Sequence, residues 1–345
     1  MRTLIPAKAY ARPGRGVSRS PDESGWIVQF GVIPPVRTGV TADPAWMRRF
    51  ARHAEECGFE SVVVVEHAVV VSGYQSVYPY APSGKMPLPD SCAIPDPLDL
   101  LAFVAACTSR IVLATGVLVL PNHHPVVLAK RVATVDVLSG GRMRLCVGVG
   151  WMDEELRATG ADPRTRGRRS DEAIRAMRTL WADAGEDGAS FDGEFFSFRH
   201  AHSFPKPTRP AGVPVHIGGH TRAAARRAGR LGDGFQPLGL GHEQVRSLVL
   251  DMRESAEQAG RDPDGIELTL SGYLPTTDDT VVGEAEALGA DRLVLSTSIT
   301  DDLEVISDEM TAFAERRGLG GRLPGRLPED GVAGGLDAPA EGLRG

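Results

Sequence analysis

Two adjacent residues, Glu66 and His67, follow the apolar run Val62-Val63-Val64-Val65. A histidine at the end of a buried strand can donate a hydrogen bond or carry a proton near neutral pH. The plainer alternative is a ring that caps local backbone carbonyls. A second candidate is Gly218-Gly219-His220-Thr221, which joins an apolar run to a helical one. Paired glycines let the backbone approach a ligand, and a helix start offers free N–H groups to an anion such as phosphate. Thr221 is a plausible N-cap, and the alternative is an ordinary tight turn. Arg222, Arg226, Arg227 and Arg230 follow, and their commoner explanation is a solvated helix face. Thr115-Gly116-Val117 interrupts a strong apolar run with glycine, which in a strand marks a bulge or a close backbone approach. Gly148-Val149-Gly150 leads into Trp151, an aromatic that either walls a pocket or plugs the space beneath it.

Other clusters are weaker. Asn122-His123-His124-Pro125 invites a metal reading, but adjacent histidines point in different directions and no third ligand has matching spacing. Asp153-Glu154-Glu155 opens a helix, where acids favour the dipole, so structural use outweighs catalysis. No G-x-S-x-G elbow and no Walker loop is present, and Pro34-Pro35-Val36-Arg37 stands where a dinucleotide-binding glycine fingerprint would follow the first strand.

The elements that must position these residues alternate regularly. A strand is expected over Trp26–Ile33, then a helix opened by Asp43-Pro44 and closed by Gly58. The second strand, from Ser61 to Glu66, precedes a proline-rich stretch from Ala68 to Ile94. That stretch is too long for an ordinary connection and reads as a functional loop or lid. Asp96-Pro97 caps the next helix, which ends near Ser109. A third strand spans Ile111–Val119, a helix Pro125–Leu138 and a fourth strand Met143–Val149. Helix dominates from Met152 to Ala182, with a break near Gly160 to Pro163. A small hairpin lies over Phe191–Phe198. Strands at Val213–Ile217, Asp233–Gln236, Ile266–Ser271 and Arg292–Leu295 each precede a helix. Eight strands alternating with eight helices predict an α/β fold, a closed (β/α)8 TIM barrel with insertions after strands two and four. The rival is an open doubly wound sheet. In a barrel, chemistry gathers at the C-terminal ends of the strands, which is where these candidates fall.

Composition agrees. The chain has 345 residues, and one barrel commonly needs roughly 250 plus insertions. A formal net charge of -7 argues against nucleic-acid binding. Cys57, Cys92, Cys107 and Cys146 form no C-x-x-C pair and read as reduced structural thiols. No apolar run approaches the ~18 residues of a membrane span. The basic N-terminus lacks the apolar stretch of a signal peptide, so a cytoplasmic location is expected. Residues 1–25 read as a loose extension, 26–317 as the barrel and 318–345 as a disordered Gly/Pro-rich tail.

The residues together resemble the luciferase-like monooxygenase superfamily, especially its F420-dependent oxidoreductase branch. The match is carried by Phe30-Gly31-Val32, Glu66-His67, the run from Ala114 to Arg142 (ATGVLVLPNHHPVVLAKRVATVDVLSGGR), VGVGWMDEEL from Val147, and VPVHIGGHTRAAARRAGRLGDGFQPL from Val213. RGRRSDEAIRAMRTLW from Arg166, FDGEFFSF from Phe191 and PKPTRP from Pro205 add to it. It covers roughly residues 27–316 and weakens after Gly239. The resemblance implies FMN or the deazaflavin coenzyme F420 bound across the barrel mouth. It implies a non-proline cis peptide at Gly116–Val117 beneath the central ring, and the cofactor phosphate at Gly218 and Gly219. His67 would lie near the redox face. Trp151 stands where some relatives carry a catalytic acid, so that role is not transferred. The cofactor-binding set expected is Glu66, Thr115, Gly116, Val117, Gly148, Gly150, Trp151, Gly218, Gly219, His220 and Thr221, with His67 catalytic and no metal. The activity implied is hydride transfer between F420 and a small organic substrate. The alternatives are an FMN monooxygenase using O2 and a non-catalytic flavin-binding relative. Relatives are often homodimers.

Overall fold

The computed structural model describes residues 28–182 and 184–321. The expectations for residues 1–25 and for the tail beyond residue 321 lie outside the described residues. Every strand of the main sheet pairs in parallel, in the order β3 (Val112–Thr115), β2 (Ser61–Val64), β1 (Gln29–Ile33), β11 (Arg292–Ser296), β10 (Glu267–Tyr273), β9 (Gly234–Gln236), β8 (Val215–Gly218), β5 (Met143–Gly148) and β4 (Leu118–Val119). An additional pairing of β3 with β5 closes the ring. The result is an eight-stranded (β/α)8 barrel, because β3 and β4 are two halves of one strand.

That split corrects the expectation of one continuous strand over Ile111–Val119. Ala114 pairs with Arg144, but Leu118 pairs with Val147. The register therefore slips by one residue across Thr115–Val117, which is a bulge. The peptide bond between Gly116 and Val117 is cis.

Helices wrap the ring where the sequence puts caps. Asp43 accepts hydrogen bonds from Ala45 N and Trp46 N at the start of α1 (Pro44–Glu56). Asp96 does the same for Leu98 N and Asp99 N at the start of α2 (Pro97–Cys107). Proline at the first helical position sacrifices an N–H that had no partner. α3 (Pro125–Leu138) follows β4, and α4 (Asp153–Ala158) and α5 (Arg166–Trp181) follow β5. The hairpin of β6 (Ala189–Asp192) and β7 (Ser197–Ala201) sits on α5, where Glu172 accepts from the amides of Glu194, Phe195 and Phe196. α6 (Arg222–Leu231), α7 (His242–Gln258), α8 (Asp279–Ala287) and α9 (Leu303–Arg317) complete the circuit. Among the described residues no helix is long and apolar enough to cross a membrane.

Strand alternation sorts side chains into two cores. Val62, Val64, Leu113, Leu293 and Leu295 face outward and pack with Met47, Phe50, Leu101, Ile306 and Phe313 of the helices. Their neighbours Val63, Ala114 and Val294 form a separate small cluster inside the ring.

The barrel floor is ionic. Glu60, just before β2, binds Arg144 and accepts from Arg292 Nε at 2.9 Å. Arg292 also reaches Glu267 at 3.2 Å, Thr269 Oγ1 at 3.2 Å and Gln29 Oε1 at 3.1 Å. Burial alone would raise the Glu60 carboxyl, but the charges of Arg144 and Arg292 outweigh it and hold the group well below the usual carboxylate range.

The arginines of α6 form a largely solvated face, as expected: the side chains of Arg222, Arg226 and Arg230 are 68%, 52% and 43% exposed. Arg222 makes a bidentate contact with Asp251 of α7, and Arg227 and Arg230 both reach Asp171 of α5. These ion pairs link α6 to its neighbours at the surface, and Arg227 alone of the four is buried, at 7% exposure.

Candidate active site at the barrel mouth

Glu66 and His67 leave the end of β2 in opposite directions. Glu66 is buried and accepts hydrogen bonds from Val119 N of β4 and from His123 Nε2 at 2.7 Å. The histidine pair that suggested a metal therefore contributes one ring to a carboxylate partner. His67 Nδ1 lies 2.9 Å from Glu155 Oε2, and the other Glu155 oxygen accepts from Ala68 N at 2.6 Å. His67 thus caps no backbone carbonyl. Glu155 is 1% exposed, so its role goes beyond favouring the dipole of α4.

A glycine cradle lies beside this pair. An added Cβ at Gly148 would come 2.7 Å from Val117 Cγ2, and one at Gly218 would come 2.5 Å from Val117 Cγ1. At Gly116 it would meet Val63 Cγ1 at 2.4 Å. The ends of two strands, β5 and β8, are therefore stripped of side chains where Val117 fills the space between them, and Gly116 makes room for Val63. Thr115, in contrast, spends its hydroxyl inside the wall, donating to Cys146 O at 2.6 Å and accepting from Cys146 N at 2.9 Å. The Cys146 thiol donates to Gln236 Oε1, and burial pushes it up to about 12.

The turn after β8 meets the expected geometry. Gly219 has φ +141°, a value L side chains rarely adopt, and its N–H donates to Gln236 O. Thr221 caps α6 by accepting from Ala224 N. Among the described residues the amides of Thr221, Arg222 and Ala223 have no protein acceptor, which leaves donors for an anion.

The segment between β2 and α2 closes over this ring as a lid. The Trp151 ring meets those of His67, Tyr74 and Tyr78 edge-on, at 5.9, 5.2 and 5.0 Å. Tyr78 meets Tyr80 at 5.4 Å, and Tyr80 meets His220 at 5.3 Å. An aromatic path therefore runs from the end of β2 to the turn after β8. Trp151 walls the mouth under the lid, beside Met86 and Met152. Gly150, at φ +80°, supplies the backbone twist that leads into it. Glu154 anchors the lid from below, accepting from Ser76 Oγ at 2.6 Å and Gln75 N at 2.8 Å, and these bonds lower its carboxyl to about 2. Burial pushes the Tyr80 hydroxyl up to about 12, with Tyr78 adding to it.

The structure thus brings together His67, Glu66, Gly116, Val117, Gly148, Trp151, Gly218, Gly219, His220 and Thr221 around one mouth. Reading the sequence missed Glu155 and Glu154 as members of the site. The only local signal was three acids, Asp153 to Glu155, opening a helix just after Trp151.

Comparison with known proteins gives one consistent family. The model of the luciferase-like monooxygenase family matches residues 23–322. An uncharacterized protein of Mycobacterium tuberculosis strain H37Rv is 38% identical over 168 residues, 49% of this chain and 58% of its own length. The chain therefore spans under two thirds of that relative. The F420-dependent glucose-6-phosphate dehydrogenase of Kineococcus radiotolerans is 30% identical over 276 residues, covering 77% of this chain and 74% of that protein. Among solved structures, a monooxygenase from Streptomyces bottropensis superposes with a TM-score of 0.67 at 23% identity, over 84% of this chain and 98% of that one. That likeness concerns the fold. The chain belongs to the luciferase-like monooxygenase family.

Proposed function

We propose that this protein is an oxidoreductase that holds coenzyme F420 across the barrel mouth and exchanges a hydride between it and a small organic substrate. The observation that carries the reading is the convergence of His67, the Gly116–Val117 step and the Gly218–Gly219 turn on one mouth. The F420-dependent relative from Kineococcus radiotolerans supports the choice of cofactor. The residues fit such a group. The cradle around Val117 offers a side-chain-poor platform, and the free amides at the start of α6 suit a phosphate. When bound, F420 supplies the carbon that gives or takes the hydride.

The protein supplies the rest. The amides of Thr221, Arg222 and Ala223 would hold the phosphate. Val117, flanked by Gly148 and Gly218, would support the ring system. His67 takes up or returns a proton at Nε2, the ring nitrogen not tied to Glu155. Tyr74, Tyr78, Tyr80 and Trp151 exclude water as the lid closes.

Fluorescence titration of the purified protein with F420 and, separately, with FMN tests the reading. Micromolar or tighter binding of F420, with much weaker binding of FMN, is expected. The opposite preference overturns it in favour of FMN-dependent oxygenation.

A further inference from the structure

We infer that Glu155 is a positioning residue that fixes the proton of the neutral His67 ring on Nδ1 and presents a bare Nε2 to the mouth. The site is thereby set to receive a substrate hydroxyl or amine, which brings its own proton. This deepens the oxidoreductase reading and rests on it for the role of the mouth. The geometry stands apart from any cofactor.

A carboxylate only accepts hydrogen bonds. Glu155 is 1% exposed and both of its oxygens are engaged, one by Ala68 N at 2.6 Å and one by His67 Nδ1 at 2.9 Å. Nδ1 therefore carries the proton. The nearest other carboxylate on the strand end, Glu66, is occupied by Val119 N and His123 and does not compete. The Trp151 ring meets the imidazole edge-on. His67 Nε2 has no hydrogen-bond partner among the described residues. It is also absent from the buried unpartnered atoms, which among the described residues are Ser61 Oγ, Asn122 Nδ2 and Arg169 Nε. An atom that is neither bonded nor sealed is within reach of solvent, and the His67 side chain is 10% exposed at the end of β2. Two partners hold Glu155 in place, and the ring in turn is held by Glu155 and Trp151. A second-sphere carboxylate that orients a ring in this way decides which nitrogen does the chemistry.

The isosteric change Glu155→Gln gives a directional test. The amide has one oxygen, and Ala68 N–H, a fixed donor, takes it. The amide NH2 then faces Nδ1, which must accept, so the ring proton moves to Nε2. Selective 15N-histidine labelling of the full-length protein without cofactor, followed by long-range proton–nitrogen spectra at mildly alkaline pH, reads the tautomer directly. Comparison with a His67→Asn sample assigns the signal. The expected result is Nδ1–H in the wild type, Nε2–H in Glu155→Gln and Nδ1–H again in Glu155→Asp, which keeps the carboxylate. Nε2–H in the wild type, both nitrogens protonated there, or no change in Glu155→Gln would each overturn the assignment. Should Glu155→Gln fail to fold, the wild-type and Glu155→Asp spectra still decide, since either lacking Nδ1–H overturns it. Because no cofactor is present, failure of F420 to bind would sink the functional reading and leave this result untouched.

Discussion

The floor and the mouth of the barrel both rest on buried carboxylates, yet the two ends use them differently. At the floor, Glu60 faces Arg144 and Arg292, and Arg292 is shared with Glu267. Each charge meets an opposite one, and Arg292 fills its remaining donors with Thr269 and Gln29. At the mouth, Glu66 and Glu155 face imidazoles, His123 and His67. A guanidinium stays protonated and spends its donors on structure, whereas an imidazole bonded through one nitrogen keeps the other for chemistry. The same carboxylate chemistry ties down two arginines at one end and, on the function proposed above, orients a reactive imidazole at the other.

The comparison breaks most visibly at the floor. Glu60→Gln leaves two buried arginines short of charge and should cost about 3–5 kcal/mol in urea unfolding. Cofactor affinity of the molecules that remain folded should stay unchanged. A loss of affinity without a loss of stability would erase the distinction between the two ends. The pH dependence carries the same sign. The folded Glu60 is depressed, so its contribution is present above the unfolded carboxyl value near 4.5 and is lost as pH falls through the folded one. Acid unfolding of Glu60→Gln should therefore be less steep below about pH 4.5 than that of the wild type.

At the mouth, Gly218→Ala places a methyl group against Val117 and should destabilise by about 1–3 kcal/mol. Binding of F420 should fall by a larger factor than stability predicts. Val117→Ala in the same chain should recover part of both, and additive effects in the double-mutant cycle would refute the cradle.

Smaller effects sharpen the picture at the lid. Ser76→Ala removes the hydroxyl that donates to Glu154 and accepts from Asp153 N. About 1 kcal/mol of local stability should go, read as faster hydrogen exchange in the segment from Gly73 to Tyr78 with little change in Tm. Tyr80→Phe loses only the 3.3 Å contact with His220 and should cost under about 1 kcal/mol. It should also remove the tyrosine absorbance step near 12 in a spectrophotometric titration.

Features encoded by neighbours in the chain could be read directly. The caps at Asp43 and Asp96, the alternation of strands and helices, and the glycine pair before Thr221 are local patterns, and the structure has each of them where it was expected. What escaped was pairing across the barrel. Glu155 is 88 residues from His67, and helical periodicity reports only that such an acid sits in a first turn. The ion-pair partners of the α6 arginines escaped for the same reason, because their aspartates lie on α5 and α7. The break in the third strand was blurred by an unbroken apolar run, with Gly116 as the single hint.

The Glu66-His67 step has one more consequence. Its two side chains fork, one to β4 and the entry of α3, the other to α4. Two consecutive residues therefore rivet three successive strand–helix units together at a single point. Inserting or deleting one residue there would hand each side chain to the wrong neighbour. Homologues should accordingly vary freely in the length of the lid that follows and tolerate no change of spacing at the rivet itself.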